Sequence, residues 1–304
     1  MNEYLSGLMT EQVNQNTREI DECSTEQILE MINFEDSQVA DIVKNEIPKI
    51  AKAVEVIYKA LSNGGRMFYL GAGTSGRLGV LDASECPPTF GSEPSLIQGY
   101  IAGGDIALRT AVEGCEDSEE EGRNQITRCK VTEKDVVIGI TASGGAAYVL
   151  GAVKQARELS AATIGIVNNP NTKLEALCDI CIAAVVGPEV IIGSTRMKAG
   201  TAQKLILNML TTTTMIKLGK VYGNMMVDLK ASNIKLNERA IRIIRTVTGV
   251  DEENARRYLE EANHSSKTAI MMILSGYSLK EAQDTLDANQ GYLKKALEQV
   301  NRKD

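Results

Sequence analysis

A chain of 304 residues, 43% hydrophobic and 24% charged, has room for one large α/β domain beside a smaller unit, and with only 4% aromatic residues its core is aliphatic. Its 33 Lys and Arg against 40 Asp and Glu give a net charge of −7, which argues against nucleic acid as a partner, since binding its backbone needs a clustered positive surface. A single histidine, His264, excludes a His-built metal cluster and leaves proton transfer to carboxylates.

The N-terminal stretch MNEYLSGLMTEQ has no basic segment and no sustained apolar run, and no stretch approaches the roughly 18 apolar residues of a membrane span. The chain is therefore expected to be neither secreted nor membrane-spanning. The first 62 residues read as helix. Ser24 with Gln27 forms a capping box ahead of Ile28, Leu29, Met31 and Ile32. Ser37 is expected to cap a longer helix with the stripe Val39, Ile42, Val43, Ile47, Ile50, Val54, Ile57 and Leu61, closed by Gly64-Gly65.

From Arg66 the pattern changes to short apolar runs at 67–70, 96–101, 136–140, 163–167 and 180–186, bounded by Gly, Asn, Asp or Pro and too short for helices. Several are apolar on both faces, as strands covered on each side are. Helices are expected at 76–84, 105–115, 118–129, 147–159 and 172–177. The alternation predicts a doubly wound parallel α/β sheet flanked by helices. One long helix follows at 197–217, and from Ile234 the strand signal ends. Helical segments at 234–247, 251–261, 265–275, 278–288 and 290–300 place a small all-α unit over 240–304, with the α/β domain and its N-terminal helices over 1–239.

The six cysteines are too sparse for a disulfide scaffold and read as reduced thiols. Cys178 and Cys181 make a C-x-x-C, but Cys181 opens an apolar strand run rather than a helix, so the pair reads as core-packing thiols.

In an open parallel sheet, ligands bind beyond the carboxyl ends of the strands, so the turns there carry the chemistry. The first turn, Gly71-Ala72-Gly73-Thr74-Ser75-Gly76-Arg77, combines glycines that admit a ligand, two hydroxyls and a helix N-terminus: a phosphate cradle. It also satisfies G-x-G-x-x-G. A dinucleotide site wants an acid about 20 positions on, whereas Asp105, the first acid after the second strand, lies 29 residues beyond Gly76. The second turn, Thr141-Ala142-Ser143-Gly144-Gly145, repeats the combination of hydroxyl and glycine. The third, Gly193-Ser194-Thr195-Arg196-Met197-Lys198, sets Arg196 and Lys198 at a helix start, where the dipole repels cations. That makes sense if an anion sits between them; the alternative is that both face solvent while Ser194 or Thr195 caps.

Among the acids, Glu85 precedes Pro87-Pro88, which are expected to stop the helix and hold its carboxylate in place, as a proton donor or acceptor needs. Glu113 and Glu116 fall at i, i+3 on the predicted 105–115 helix and its end, and spacing alone does not choose between them. Glu119, Glu120 and Glu121 read as a solvated run; Glu189, after Pro188 in a loop, is a third candidate, with a plain turn residue as the alternative.

Taken together, Leu70-Gly71-Ala72-Gly73-Thr74-Ser75-Gly76-Arg77-Leu78-Gly79, Ser84-Glu85-Cys86-Pro87-Pro88, Ala102-Gly103-Gly104, Glu113-Gly114-Cys115-Glu116-Asp117-Ser118 and Gly193-Ser194-Thr195-Arg196-Met197-Lys198-Ala199-Gly200-Thr201 resemble the N-acetylmuramic acid 6-phosphate etherases. The resemblance runs from about Ile20 to the C-terminus and includes Gly223 to Asp228. It implies a sugar isomerase (SIS) fold related to glucokinase regulatory protein, and hydrolysis of the D-lactyl ether of N-acetylmuramic acid 6-phosphate to N-acetylglucosamine 6-phosphate. It also implies a cytoplasmic homodimer that needs neither metal nor cofactor.

The family's two acidic residues fall on Glu85 and Glu116, which resolves the choice that spacing left open; Glu85 is assigned as acid and Glu116 as base. Substrate contacts are expected from Gly73, Thr74, Ser75, Gly76, Arg77, Ser143, Gly144, Ser194, Thr195, Arg196 and Lys198. One departure is Ala146, where many SIS proteins carry a threonine. The C-terminal helices resemble a ubiquitin-associated-type bundle, within which His264 reads as structural. A non-catalytic sugar-phosphate sensor and an aldose-ketose isomerase are the competing readings; retention of both acids favours the etherase.

Overall fold

The short apolar runs become the strands of one parallel sheet: β1 (Met67–Gly71), β2 (Ile97–Ile101), β3 (Val136–Ile140), β4 (Ala162–Val167) and β5 (Ile180–Ala183), in the order β2-β1-β3-β4-β5. β1 and β3, at the centre, are buried along their whole length. Side chains alternate across the sheet: Phe68 and Leu70 join Val137, Val149 and Val153 in the core beneath α7 (Ala147–Glu158). Tyr69 faces the other way, toward α4 (Gly73–Phe90), where its hydroxyl donates to buried Asp82 at 3.0 Å and Thr211 donates to the same carboxyl at 3.3 Å. Burial pushes the Asp82 carboxyl above its ordinary value.

The start of the sheet is fixed by a second carboxylate. Asp135 accepts from the Arg66 amide at 2.7 Å, from the Arg66 guanidinium and from the Thr132 amide, aligning β1 with β3. Burial raises the Asp135 carboxyl, but these hydrogen bonds outweigh it and hold the group below its ordinary value.

The computed structural model describes residues 7–229 and 234–302. The chain divides into two units, residues up to Ala83 with Ser95–Thr211, and Ser84–Pro94 with the chain from Thr212 onward. In the first, α1 (Thr25–Ser37) begins at the expected capping box. Ser37 caps nothing: its hydroxyl donates back to Phe34 at 2.7 Å. The long helix expected after it is two, α2 (Val39–Asn45) and α3 (Ile47–Ser62), because Pro48 has no amide to continue the ladder and sits instead in the first turn of α3. Between the later strands lie α5 (Ile106–Arg109) and α6 (Glu119–Arg128). The expected helix at 105–115 ends at Arg109, and 172–177 is a series of turns.

α4 is longer than expected and runs through both prolines; it ends at Gly91, whose left-handed backbone (φ +62°) terminates helices at little cost. The long helix is α8 (Lys198–Lys217). The second unit holds α9 (Ile234–Thr248), α10 (Glu252–Glu261), α11 (Ser266–Ser275), α12 (Leu279–Ala288) and α13 (Leu293–Val300) around Ile244, Ala255, Ala269, Met271 and Ala296. Buried Lys267 donates to Asp228 at 2.7 Å and to the carbonyls of Gly219 and Gly291. His264 follows α10 in left-handed backbone (φ +61°), its amide bonded to the Leu259 carbonyl.

Candidate active site

The order of the strands decides where a ligand goes. The chain leaves β1 toward β2 and leaves β3 in the opposite direction toward β4, so the sheet's switch point lies between β1 and β3. Those strands pair with Gly71 opposite Ile140, their last residues. The turns 72–76 and 141–146 therefore start side by side, about 4.8 Å apart. Both are the hydroxyl-and-glycine turns read from the sequence.

The first turn is folded so tightly that side chains are excluded. A Cβ on Gly71 would lie 2.6 Å from the Gly76 nitrogen, and one on Gly76 would lie 2.7 Å from the Gly71 carbonyl oxygen and 2.6 Å from Ile101. Gly73 is exposed and left-handed (φ +54°) at the start of α4, followed by half-buried Thr74 and buried Ser75. In the second turn the Ser143 hydroxyl accepts from the Gly145 amide at 3.2 Å and shares a 3.3 Å hydrogen bond with Thr141. Gly144 is left-handed (φ +68°), and a Cβ there would lie 2.5 Å from Thr172 Cγ2.

The second turn rests on two residues that the sequence reading passed over. Asn169 donates to the Ala142 carbonyl at 2.9 Å and accepts from the Met9 amide; Asn168 donates to Ala184 and accepts from Gln203. Both asparagines are fully buried. A pair of amides before Pro170, directly after a strand, is the signal that could have found them.

The third turn differs from expectation. The first turn of α8 does reach the cradle, since a Cβ on Gly200 would lie 3.3 Å from Thr74 Cγ2. The anion that explains its cations belongs to the protein. Fully buried Glu189 accepts from the Lys198 and Ala199 amides, each at 2.9 Å, and the next two amides of the helix bond to Thr195 and Met197 carbonyls. Burial pushes the Glu189 carboxyl up, partly offset by those amides. The Lys198 ammonium is itself buried, 2.5 Å from Glu35 of α1 and 3.1 Å from the Pro188 carbonyl. Lys198 therefore serves structure rather than an external anion. Arg196 remains exposed, with Ser194 and Thr195 half-buried beside it.

Beyond β1 and β2 lies a cavity of about 290 Å³ lined by Gly73, Arg77, Ala102, Glu113, Gly114 and Glu116. Arg77 is oriented by its Nε, which donates to the Leu108 carbonyl at 3.2 Å. The acids stand on no common helix: Gly114 is left-handed (φ +71°) and breaks the chain between Glu113 and the short 3₁₀ turn Cys115–Asp117 that carries Glu116. Glu85 belongs to the other unit, exposed on the last turns of α4 rather than in a loop before the prolines. Among the described residues, no helix is long and apolar enough to cross a membrane.

Residues 49–157 match the N-terminal SIS domain of glucokinase regulatory protein, 123–213 the SIS domain, and 223–268 the C-terminal lid domain of glucokinase regulatory protein. An N-acetylmuramic acid 6-phosphate etherase of Clostridium acetobutylicum is 55% identical over 297 residues, 98% of each chain. The chain belongs to the N-acetylmuramic acid 6-phosphate etherase family. Etherases of Caldanaerobacter subterraneus subsp. tengcongensis and Clostridioides difficile are 52% and 50% identical over 96% and 98% of this chain, and over the same shares of their own. A solved phosphoheptose isomerase from Francisella tularensis, 21% identical, aligns over 63% of this chain and 98% of its own with a TM-score of 0.50. That likeness is one of fold: this etherase-family chain has the SIS arrangement, a parallel sheet flanked by helices.

Proposed function

We propose that this chain cleaves the D-lactyl ether of N-acetylmuramic acid 6-phosphate, releasing D-lactate and N-acetylglucosamine 6-phosphate, with no metal or cofactor. The observation that carries the reading is the cavity shared by Gly73, Arg77 and Glu116, which joins a phosphate cradle to a carboxylate. The phosphate is held by the α4 amides, Thr74, Ser75 and Gly76, with Ser143 and Gly144 of the neighbouring turn and Ser194, Thr195 and Arg196 of the third. With Ala146 in place of a hydroxyl residue, the second turn holds anions through Ser143 and backbone amides.

Opening of the sugar ring turns carbon 1 into an aldehyde and makes the carbon 2 proton acidic. Glu116 takes that proton; the bond from carbon 3 to the lactyl oxygen breaks as the oxygen receives a proton from Glu85; water then adds across the unsaturated aldehyde and restores a hydroxyl at carbon 3. Two carboxylates in opposite protonation states suffice. Incubating the purified protein with N-acetylmuramic acid 6-phosphate tests the reading: it stands on release of D-lactate, and falls if the sugar phosphate is bound unchanged or converted to a ketose.

The assignment of roles has its own test. Glu85→Gln is expected to retain exchange of the carbon 2 proton with solvent deuterium while lactate release falls by about 10²–10⁴-fold, the usual contribution of a general acid. Loss of exchange with elimination retained from a prepared intermediate reverses the roles. Gly144→Ala forces a side chain into left-handed backbone against Thr172 and is expected to cost about 1–3 kcal/mol, read by urea unfolding, with a raised KM for the sugar phosphate.

The protein is further proposed to act as a homodimer in the cytoplasm. Six cysteines outside any disulfide suit a reducing compartment, and Leu29 and Phe34, 61% and 58% exposed on α1, offer apolar surface for a second copy to cover. Analytical ultracentrifugation is expected to give twice the chain mass.

A further inference from the structure

Independently of ether cleavage, we propose that Cys178 and Cys181 form a reactive dithiol, which low-molecular-weight disulfides oxidise reversibly to an intrachain disulfide. The argument begins at Gly165 on β4. Cys181, the second residue of the edge strand β5, is its register partner. Residues in register on parallel strands point to the same face, with the strands about 4.8 Å apart. Cys178 ends the turn before β5, its amide bonded to the Leu174 carbonyl at 3.1 Å. Its sulfur fills the space over Gly165: a Cβ there would lie 2.8 Å from Cys178 Sγ. Both sulfurs thus occupy one face of the sheet at one position, left open by the absence of a side chain. Both cysteines are half-buried, so a small oxidant can reach them, whereas Cys86 is buried.

The polar surroundings make the two thiols unequal. The Cys181 thiol and the backbone of Cys178 and Gly165 favour the charged form of the Cys178 sulfur, outweigh burial and the nearby Asp179 charge, and hold it below the ordinary thiol value; while protonated, its thiol reaches the Glu175 carbonyl at 3.9 Å. Cys181, whose proton is held by its hydrogen bond to Cys178, is pushed up, with burial, the Cys178 charge and Glu175 acting the same way and Lys49 opposing. Cys178 is therefore the attacking sulfur and Cys181 the resolving one. The Cys178 thiolate attacks one sulfur of the small disulfide, whose S–S bond breaks and whose other half leaves as a thiolate that takes up a proton. Cys181, surrendering its proton to solvent, then attacks the Cys178 sulfur of the mixed disulfide and expels the second thiolate, which is protonated in turn. The protein loses two hydrogens and the small disulfide becomes two thiols.

The test uses the full-length reduced protein treated with oxidised glutathione, quenched with iodoacetamide and digested with trypsin. One tryptic peptide, residues 174–196, carries both cysteines and no other. The expected product is that peptide lighter by two hydrogens and unalkylated, returning to the doubly alkylated form after dithiothreitol. Cys181→Ser is expected to accumulate a glutathione adduct at Cys178, and Cys178→Ser to leave Cys181 without one. The proposal is overturned if the wild-type peptide stays doubly alkylated, if its cysteines link to Cys23, Cys115 or Cys129 instead, or if the adduct prefers Cys181.

Discussion

Glu116→Gln is expected to lower the rate of D-lactate release by about 10²–10⁴-fold, the contribution of a positioned general base, with little change in melting temperature. The carboxylate is exposed on a short 3₁₀ turn and its removal leaves no buried partner unsatisfied, so the loss falls on chemistry. Glu113→Gln is the matched control. Both acids line the same cavity, and the left-handed Gly114 between them turns the chain. The two carboxylates therefore do not share one helical face, as i, i+3 spacing on a helix would have had them. If Glu116 is the base, Glu113→Gln changes the rate by only a few-fold, and solvent deuterium exchange at carbon 2 is lost in Glu116→Gln alone. Equal losses in the two variants would mean that neither acid is the base and that the cavity's negative charge as a whole is what matters.

The parts of this site that could be read from the chain are those in which local chemistry and global topology agree. The runs at 67–70 and 136–140 are apolar throughout because both faces of β1 and β3 are covered, and glycine with hydroxyl at the turn after each strand is what a switch-point anion site requires. What could not be read depends on distant partners. Arg196 and Lys198 at a helix start did announce an anion, yet the chain supplies two of its own: Glu189, nine residues before Lys198, caps the amides, and Glu35, 163 residues away in sequence, takes the ammonium. No local pattern distinguishes such carboxylates from surface acids. Pro87 and Pro88 misled as well. A proline leaves a carbonyl of the preceding turn unbonded and crowds it with its ring, yet α4 continues through both prolines to its end, where Gly91 supplies the left-handed stop.

Breaking the Lys198–Glu35 pair is expected to have the largest effect on stability. The two side chains are 4% and 3% exposed, so Lys198→Met leaves a carboxylate with only the neutral side chains of Asn16, at 2.8 Å, and Asn14 as donors. Removing one partner of a buried ion pair costs about 3–5 kcal/mol, whereas replacing both with apolar groups of similar size is often near neutral. Lys198→Met with Glu35→Leu should therefore recover much of the loss, and urea unfolding of the two singles and the double checks this.

The pH dependence follows from the same contacts. Burial pushes the Glu35 carboxyl up, but hydrogen bonds from Asn16 and Lys198 and the Lys198 charge outweigh it and hold the group below its ordinary value. In the wild type, Glu35 thus contributes stability that is complete above the ordinary carboxylate range and is lost as pH falls through the depressed value. Without Lys198, desolvation is opposed only by neutral donors, so the carboxyl rises toward or above its unfolded value and protonation relieves the variant as the pH drops. The stability gap between wild type and Lys198→Met should accordingly be widest near neutrality and narrow in acid. A gap that stays constant with pH would mean that Lys198 contributes through its packed methylene stem rather than its charge.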